Sequence, residues 1–374
     1  MNRSLSNISR LGVKELRGLR ADPVLVPLIA YMFTFAVYSV ATGAKFEVEH
    51  AAVAIVDEDR SDLSRRIRDA VQEPYFKTPE EIPAAEMDRA MDLARFVFVI
   101  EIPPKLESDV RAGKMPSVQI NVDATAMTQA GNGAIYLQNI IWREALNFVQ
   151  HAESGDGLPI NLVIRSRFNP NLKSEWFVSV MQVINNITIL SVVLTGAALI
   201  REREQGTIEH LLVMPVTPLD VMLSKIWANG LVIIVAALFS LWLVVQWMLQ
   251  VPIAGSIMLF VAGAILYQLT VTALGIFLAT FTTSMAQFGL LVIPVLMVMN
   301  LLSGSTTPME SMPAWLQGVM QISPAVQFVS FSQAILYRGA DFSIVWPQMA
   351  VMTAISAIFV AASLMRFRKA IVSV

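Results

Sequence analysis

Long apolar runs separated by short charged or turn-forming stretches dominate this chain. Between Lys225 and Glu310 no Asp, Glu, Lys or Arg occurs, a length about four times the roughly 20 apolar residues that one bilayer crossing needs. Such a run must cross more than once, and turn signals place the breaks. Val251-Pro252 with Gly255-Ser256 closes a segment from Ile226 to Gln250, and the polar run Thr282-Thr283-Ser284 to Gln287 closes one from Ile257 to Phe281. A third runs from Phe288 to about Ser303, and further uncharged stretches cover Pro23 to Ala44, Trp176 to Ile200 and Phe342 to Met365. The pattern predicts an α-helical polytopic membrane protein with six transmembrane helices.

Two regions follow other periods. In residues 1–22, Leu5, Ile8, Gly12, Leu16 and Leu19 recur at helical spacing while Arg3, Arg10, Lys14, Arg17 and Arg20 take other faces. This predicts an amphipathic helix at the surface of anionic lipid. Ser39-Val40-Ala41 could mark a cleaved leader, but the apolar run before it is longer than the 7 to 15 residues of such leaders, so 23–44 is expected to stay as a span. Residues 45–175 read as an α+β domain. Strands are predicted at Ala51 to Val56, Phe96 to Ile102, Val118 to Val122 and Ile160 to Ile164. Helices are predicted at Ser61 to Val71, Ala84 to Leu93, Pro104 to Arg111 and about Thr125 to Gln150, giving a small mixed sheet covered by helices.

Composition agrees with a membrane location. Of 374 residues 55% are hydrophobic and only 15% charged, against roughly 25% in soluble domains. A net charge of −2 offers no basic field for nucleic acid, and with no cysteine a disulfide framework and thiolate chemistry are excluded. Lysine and arginine gather in three short flanks: the N-terminal group, Arg201, Arg203 and Lys225 after the second span, and Arg366, Arg368 and Lys369 after the last. With six spans these lie on one side, which makes both termini cytoplasmic and the 45–175 domain external. His50 and His151 stand alone, and Asp57/Asp59 and Glu80/Glu81 read as solvated surface, so no metal or catalytic set is expected.

None of the assigned spans contains a charge, whereas ion-coupled transport usually needs an intramembrane carboxylate or histidine. The second span carries Gln182, Asn185, Asn186 and Thr188, the first three within about one turn. Interhelical hydrogen bonding and a pathway-facing or dimer-facing role both account for them, and Asn229, Gln246, Gln268 and Asn300 are read in the same way. Segment 304–339 holds Gly304, Pro308, Pro313 and Pro324 and is amphipathic around Trp315-Leu316. It is expected to form a re-entrant hairpin at an outer gate, since irregular backbone at membrane depth needs protein or a water-filled cavity beside it. An external surface loop is the alternative.

After the second span the chain reads Arg201-Glu202-Arg203-Glu204-Gln205-Gly206-Thr207-Ile208-Glu209-His210-Leu211-Leu212-Val213-Met214-Pro215. A span running into a charged turn, with Gly206 able to take a left-handed cap and Thr207 able to cap a new short helix ending before Pro215, predicts a rigid elbow. The same residues also suit a loop whose arginines only anchor topology. The pattern Glu202-Arg203-Glu204-x-Gly206-Thr207-x-Glu209-x-Leu211-Leu212-x-x-Pro215 resembles the hallmark cytoplasmic segment of ABC-2 type permeases, the membrane subunits of ATP-binding cassette exporters. Ser303-Gly304 with Pro308, Met312-Pro313 and Trp315-Leu316 is similar to that family's outer hairpin, and Tyr337-Arg338-Gly339 precedes the last span as it does there. Asn121-Val122-Asp123-Ala124-Thr125 resembles the YhhJ type of Gram-negative inner-membrane permease.

The resemblance covers the whole chain. It implies a permease of the bacterial inner membrane that pairs with a second permease chain, identical or related, and with cytosolic ABC ATPase subunits docked on a coupling segment within 201–225. A periplasmic adaptor is a further implied partner, and the substrate class would be drug-like, lipidic or otherwise amphipathic. ATP and Mg would sit on the ATPase: this chain lacks a phosphate-binding P-loop, Gly113-Lys114 being followed by Met115 without the earlier glycine. A polytopic receptor or a secondary transporter that uses the outer domain for a ligand or partner is the alternative, and a membrane enzyme would need a catalytic constellation that the sequence does not display.

Overall fold

The computed structural model describes residues 2–43, 50–93, 95–123, 127–152, 173–206 and 216–372. The chain divides into two compact units, Met1–Gly43 with Glu175–Val374, and Ala44–Ser174.

In the first unit, five helices among the described residues are long and apolar enough to cross a membrane. Leu25–Gly43 is preceded by Asp22, whose carboxylate accepts the Val24 and Leu25 amides at 2.9 and 3.1 Å. Those two amides, and then Arg201, hold the Asp22 carboxyl below the ordinary carboxylate value. The span bends at Thr34, which leaves the helical region. Ser174–Glu204 follows as one uninterrupted helix of 31 residues. At 1.5 Å per residue it is roughly 46 Å long, more than the roughly 30 Å hydrocarbon layer, so its charged end projects well beyond a span.

The third span starts two turns before the expected Ile226. Thr217 and Asp220 form a capping box around Pro218, and the helix runs to Ser240 and on as π-helix through Met248. Asp220 and Lys225 therefore lie inside the helix, and both are buried. The limit of a charge-free run marks where a chain becomes apolar, not where its helix begins. Ile257–Ala279 is the fourth span, and most of its surface is covered by neighbours, with Tyr267 stacked on Phe328 at a centroid distance of 4.1 Å. The expected fifth span is a shorter helix, Met285–Leu301, of 17 residues with Pro294 inside it. That is roughly 26 Å, less than a full hydrocarbon crossing. Phe342–Arg366 is the last span.

Between these two helices, Ala314–Met320 and Pro324–Leu336 meet at 87°. Pro324–Leu336 packs against the fourth and last spans and is buried along most of its length, including Phe328, Phe331 and Ile335. One arm of the bent pair thus lies inside the bundle. The N-terminal helix Asn2–Ala21 lies against the start of the third span, so the inner side of its apolar stripe meets protein, while Leu5 is exposed.

The second unit is built on four strands, β1 (Val53–Asp57), β2 (Glu80–Glu81), β3 (Phe98–Ile102) and β4 (Gln119–Val122), in the order β2-β1-β3-β4. β1 runs parallel to β2 and β3, and β3 pairs antiparallel with β4, so the sheet is mixed. Both faces of β1 are buried: Val53 and Ile55 join Leu63, Ile67 and Leu137, while Ala54 and Val56 join Ile82, Ala90 and Phe96. A strand covered on two sides reads as a continuous apolar run, which is how the sequence shows it. Glu80 and Glu81 are exposed, as expected of surface carboxylates, but they also form the short strand β2, bonded to Arg95 and Arg68 respectively. Two charged residues at a sheet edge carry no strand signal and discourage further pairing there. The predicted helices appear as Asp62–Ala70, Ala84–Glu86 with Met87–Asp92, Leu106–Arg111 and Met127–Ala152. The strand expected at 160–164 and His151's side chain lie outside the described residues.

Candidate coupling site at the end of the second span

The last turn of Ser174–Glu204 carries the start of the motif, and each of its charged side chains has a partner within the chain. Arg201 pairs with Asp22 at 3.0 Å. Arg203 donates to the Thr282 carbonyl at 3.0 Å, and Glu204 accepts the Met285 amide at 2.8 Å, at the start of the short fifth helix. Glu202 pairs with Lys225 at 2.9 Å, and Lys225 pairs at the same distance with Glu15 of the N-terminal helix. Gly206 then takes φ +66, the left-handed cap that its sequence position predicted. Thr207, Glu209, Leu211, Leu212 and Pro215 lie outside the described residues.

Lys225 and Glu15 escaped the sequence reading. By its place after the second span Lys225 reads as a topological charge, yet its side chain is 2% exposed. Glu15 is the one acid in a basic helix and lies on the face shared by Ile8, Gly12 and Leu19. That placement, three and seven residues from apolar positions, was the available signal. Gly12 matters for the same contact: a Cβ there would come within 2.1 Å of the Trp227 ring, and the Trp227 indole donates to the Ile8 carbonyl at 3.2 Å.

Farther along the second span the polar residues join helices. Gln182 donates to Asn186 at 3.0 Å, and Asn186 donates to the Met32 carbonyl of the first span. Thr188 meets the Tyr267 hydroxyl at 2.7 Å, Ser191 donates to Gln268 at 2.7 Å, and Asn229 donates to Thr195 at 3.2 Å. Asn185 is buried nearby. These contacts fit the hydrogen-bonding reading of Gln182 and Asn186. Asn300, in the last turn of the short helix, accepts the Ser303 hydroxyl at its carbonyl, and its side-chain oxygen is buried without a partner among the described residues.

The hairpin residues cluster at the opposite end of the second span. Gly304 has φ +88, and its carbonyl accepts Gln333 at 3.5 Å. Pro308 and Pro313 precede the Met309–Ser311 turn and the Ala314–Met320 helix, where Trp315 is exposed. Tyr337 donates to the Phe177 carbonyl at 2.9 Å and stacks on the Phe177 ring. One continuous helix thus touches the hairpin at its start and the Glu15–Lys225 pair at its end.

Similarity to known proteins bears on the same arrangement. The model of the ABC-2 family transporter protein matches residues 24–365. The chain is 50% identical to the inner membrane transport permease YhhJ of Escherichia coli (strain K12) over 99% of both chains. It is 30% identical to the probable multidrug ABC transporter permease YbhR of the same strain, over 96% of this chain and 95% of that one. Against the probable multidrug ABC transporter permease YbhS the identity is 25% over 90% of each. With a match that spans the membrane helices, the α/β unit and the motif after Ile200 together, the chain belongs to the ABC-2 transporter family.

Proposed function

We propose that this chain is the membrane-spanning permease subunit of an ATP-driven exporter in the bacterial inner membrane. It moves a drug-like, lipidic or other amphipathic molecule outward from the cytoplasm or the inner membrane. Hydrolysis takes place on a cytosolic ABC ATPase that holds ATP and Mg, and this chain supplies the path and the docking surface. A second permease chain, identical or related, completes the membrane part, and the 45–175 domain faces the periplasm, where it meets an adaptor protein.

One observation carries the reading: the Ser174–Glu204 helix is unbroken from the hairpin contact at Phe177 to the charged turn at Glu202–Gly206. A rod braced at both ends passes a displacement of one end to the other, since packed helices shift as units rather than deform. The ATPase pushes on the coupling segment, and the hairpin around Gly304, Pro308, Pro313 and Trp315 moves as the outer gate. Asn185 and Asn300 remain candidates for the pathway or the dimer surface.

Two experiments test this. The chain has no cysteine, so single introduced thiols report topology without a background. Met115→Cys, at an exposed position of the α/β unit, should react with an impermeant thiol reagent from the periplasmic side, and Gln205→Cys only after the inner membrane is opened. Labelling of Gln205→Cys from outside would reverse the orientation. The second experiment places Glu209→Lys in the coupling segment. With the ATPase coexpressed, export should fall at least tenfold while membrane insertion is unchanged, because a like charge at a docked carboxylate position costs the complex on the order of 1.4 kcal/mol or more. Full export in Glu209→Lys would remove that residue from the interface.

A further inference from the structure

Lys225 is 1% exposed, and two carboxylates from different elements hold its ammonium at 2.9 Å each. The two do not stand in the same mechanical relation to it. Glu15 belongs to the N-terminal helix, which is fastened to the third span, the helix that carries Lys225: Ser4 bonds Asp220, the Trp227 indole bonds the Ile8 carbonyl at 3.2 Å, and Gly12 lets the Trp227 ring close against the helix backbone. Glu202 belongs to the second span, one turn before the left-handed Gly206 at which that helix ends. The N-terminal helix and the third span are thus fastened to each other around Lys225, and Glu202 reaches the same ammonium from the second span.

A fixed staple needs one carboxylate for one ammonium. Adding a second places two like charges around the same buried group, which is unfavourable in a structure that never changes. It becomes useful where one partner has to leave, because a buried ammonium stripped of its counter-charge is strongly disfavoured.

We propose that Glu15 is a positioning residue for coupling, retaining the Lys225 ammonium when Glu202 withdraws. The proposal rests on the coupling reading above: a push on the segment after Gly206 draws the end of the second span away from the third, Glu202 parts from Lys225, and Glu15 keeps the charge paired. The N-terminal helix is thus a working part of the transporter, which makes the separation of two spans accessible. On return Glu202 re-forms the pair and the resting arrangement is restored.

The test uses the full chain copurified with its ATPase, measuring the yield of the complex and the ATP turnover that depends on this chain. Glu15→Gln should copurify at the parent yield, with chain-dependent turnover reduced at least tenfold, because Glu202 can no longer leave Lys225 without exposing a bare charge. In Glu15→Gln/Glu202→Gln/Lys225→Met no charge needs a partner, so turnover should recover to within threefold of the parent. A purely structural role for the three charges would lower the yield of the complex together with turnover, whereas the hand-over lowers turnover at the parent yield. Parent turnover in Glu15→Gln, loss of the ATPase from that variant, or a triple variant as slow as the single one would each overturn the proposal. If the parent chain itself fails to bind the ATPase, the coupling reading fails rather than the hand-over.

Discussion

Lys225→Met should cost the protein about 3–5 kcal/mol of stability, the range for breaking a buried ion pair by removing one partner. The Glu15 and Glu202 side chains are 17% and 14% exposed, and without the ammonium two carboxylates face each other in a site that water barely enters. They can separate only by lifting the N-terminal helix or by pulling the end of the second span outward, and either movement breaks neighbouring contacts such as the Trp227–Ile8 hydrogen bond. Thermal unfolding in detergent should show a clear fall in Tm, with lower membrane levels of the variant, whereas Lys225→Arg retains the charge and most of the stability. Unchanged Tm and level in Lys225→Met would show that the three charges are not coupled. Replacing all three charges together is expected to be far milder, since exchanging a whole buried ion group for neutral residues of similar volume is often close to neutral.

How much of this could be read beforehand depended on what each residue was doing. Spans with charged flanks were legible: the apolar run of the second stops at the charged sequence Arg201 to Glu204. The third was misplaced at its start because the charge-free run begins only after Lys225, and the packing of a distant helix is what makes Asp220 and Lys225 interior residues. Glu15 was missed for the same reason, as its partner is 210 positions away in sequence. Strands β1 and β3 announced themselves through uninterrupted apolar runs, while β2 consists of two glutamates whose pairing with β1 is backbone chemistry without a side-chain signal. The fifth helix shows the limit of composition: Met285–Leu301 is as apolar as a span but stops at 17 residues, where Leu302 leaves the helix before the turn at Gly304.

The motif itself divides in two. Gly206 was legible because few residues other than glycine tolerate a positive φ, and the left-handed cap is there. Glu202, Arg203 and Glu204, which the resemblance places in the coupling segment, bind Lys225, the Thr282 carbonyl and the Met285 amide within the chain. These bonds fasten the end of the second span to the elements around it; in the function proposed above, the apolar residues after Gly206 are the ones that meet the ATPase.

Leu211→Asp/Leu212→Asp should therefore have the largest effect on assembly. Burying one leucine at an interface is worth about 1.5–3 kcal/mol, so losing two, and placing charges where they stood, should weaken binding by about 3 kcal/mol or more, at least a hundredfold. The Glu15–Lys225–Glu202 group and the membrane spans do not depend on these leucines, so the variant should insert and accumulate normally. The decisive measurement is copurification of a coexpressed ABC ATPase with the tagged parent chain and with this variant at equal membrane level. The account predicts an ATPase retained by the parent and lost from Leu211→Asp/Leu212→Asp; equal retention by both would contradict the claim that ATP-driven motion enters the membrane through this segment.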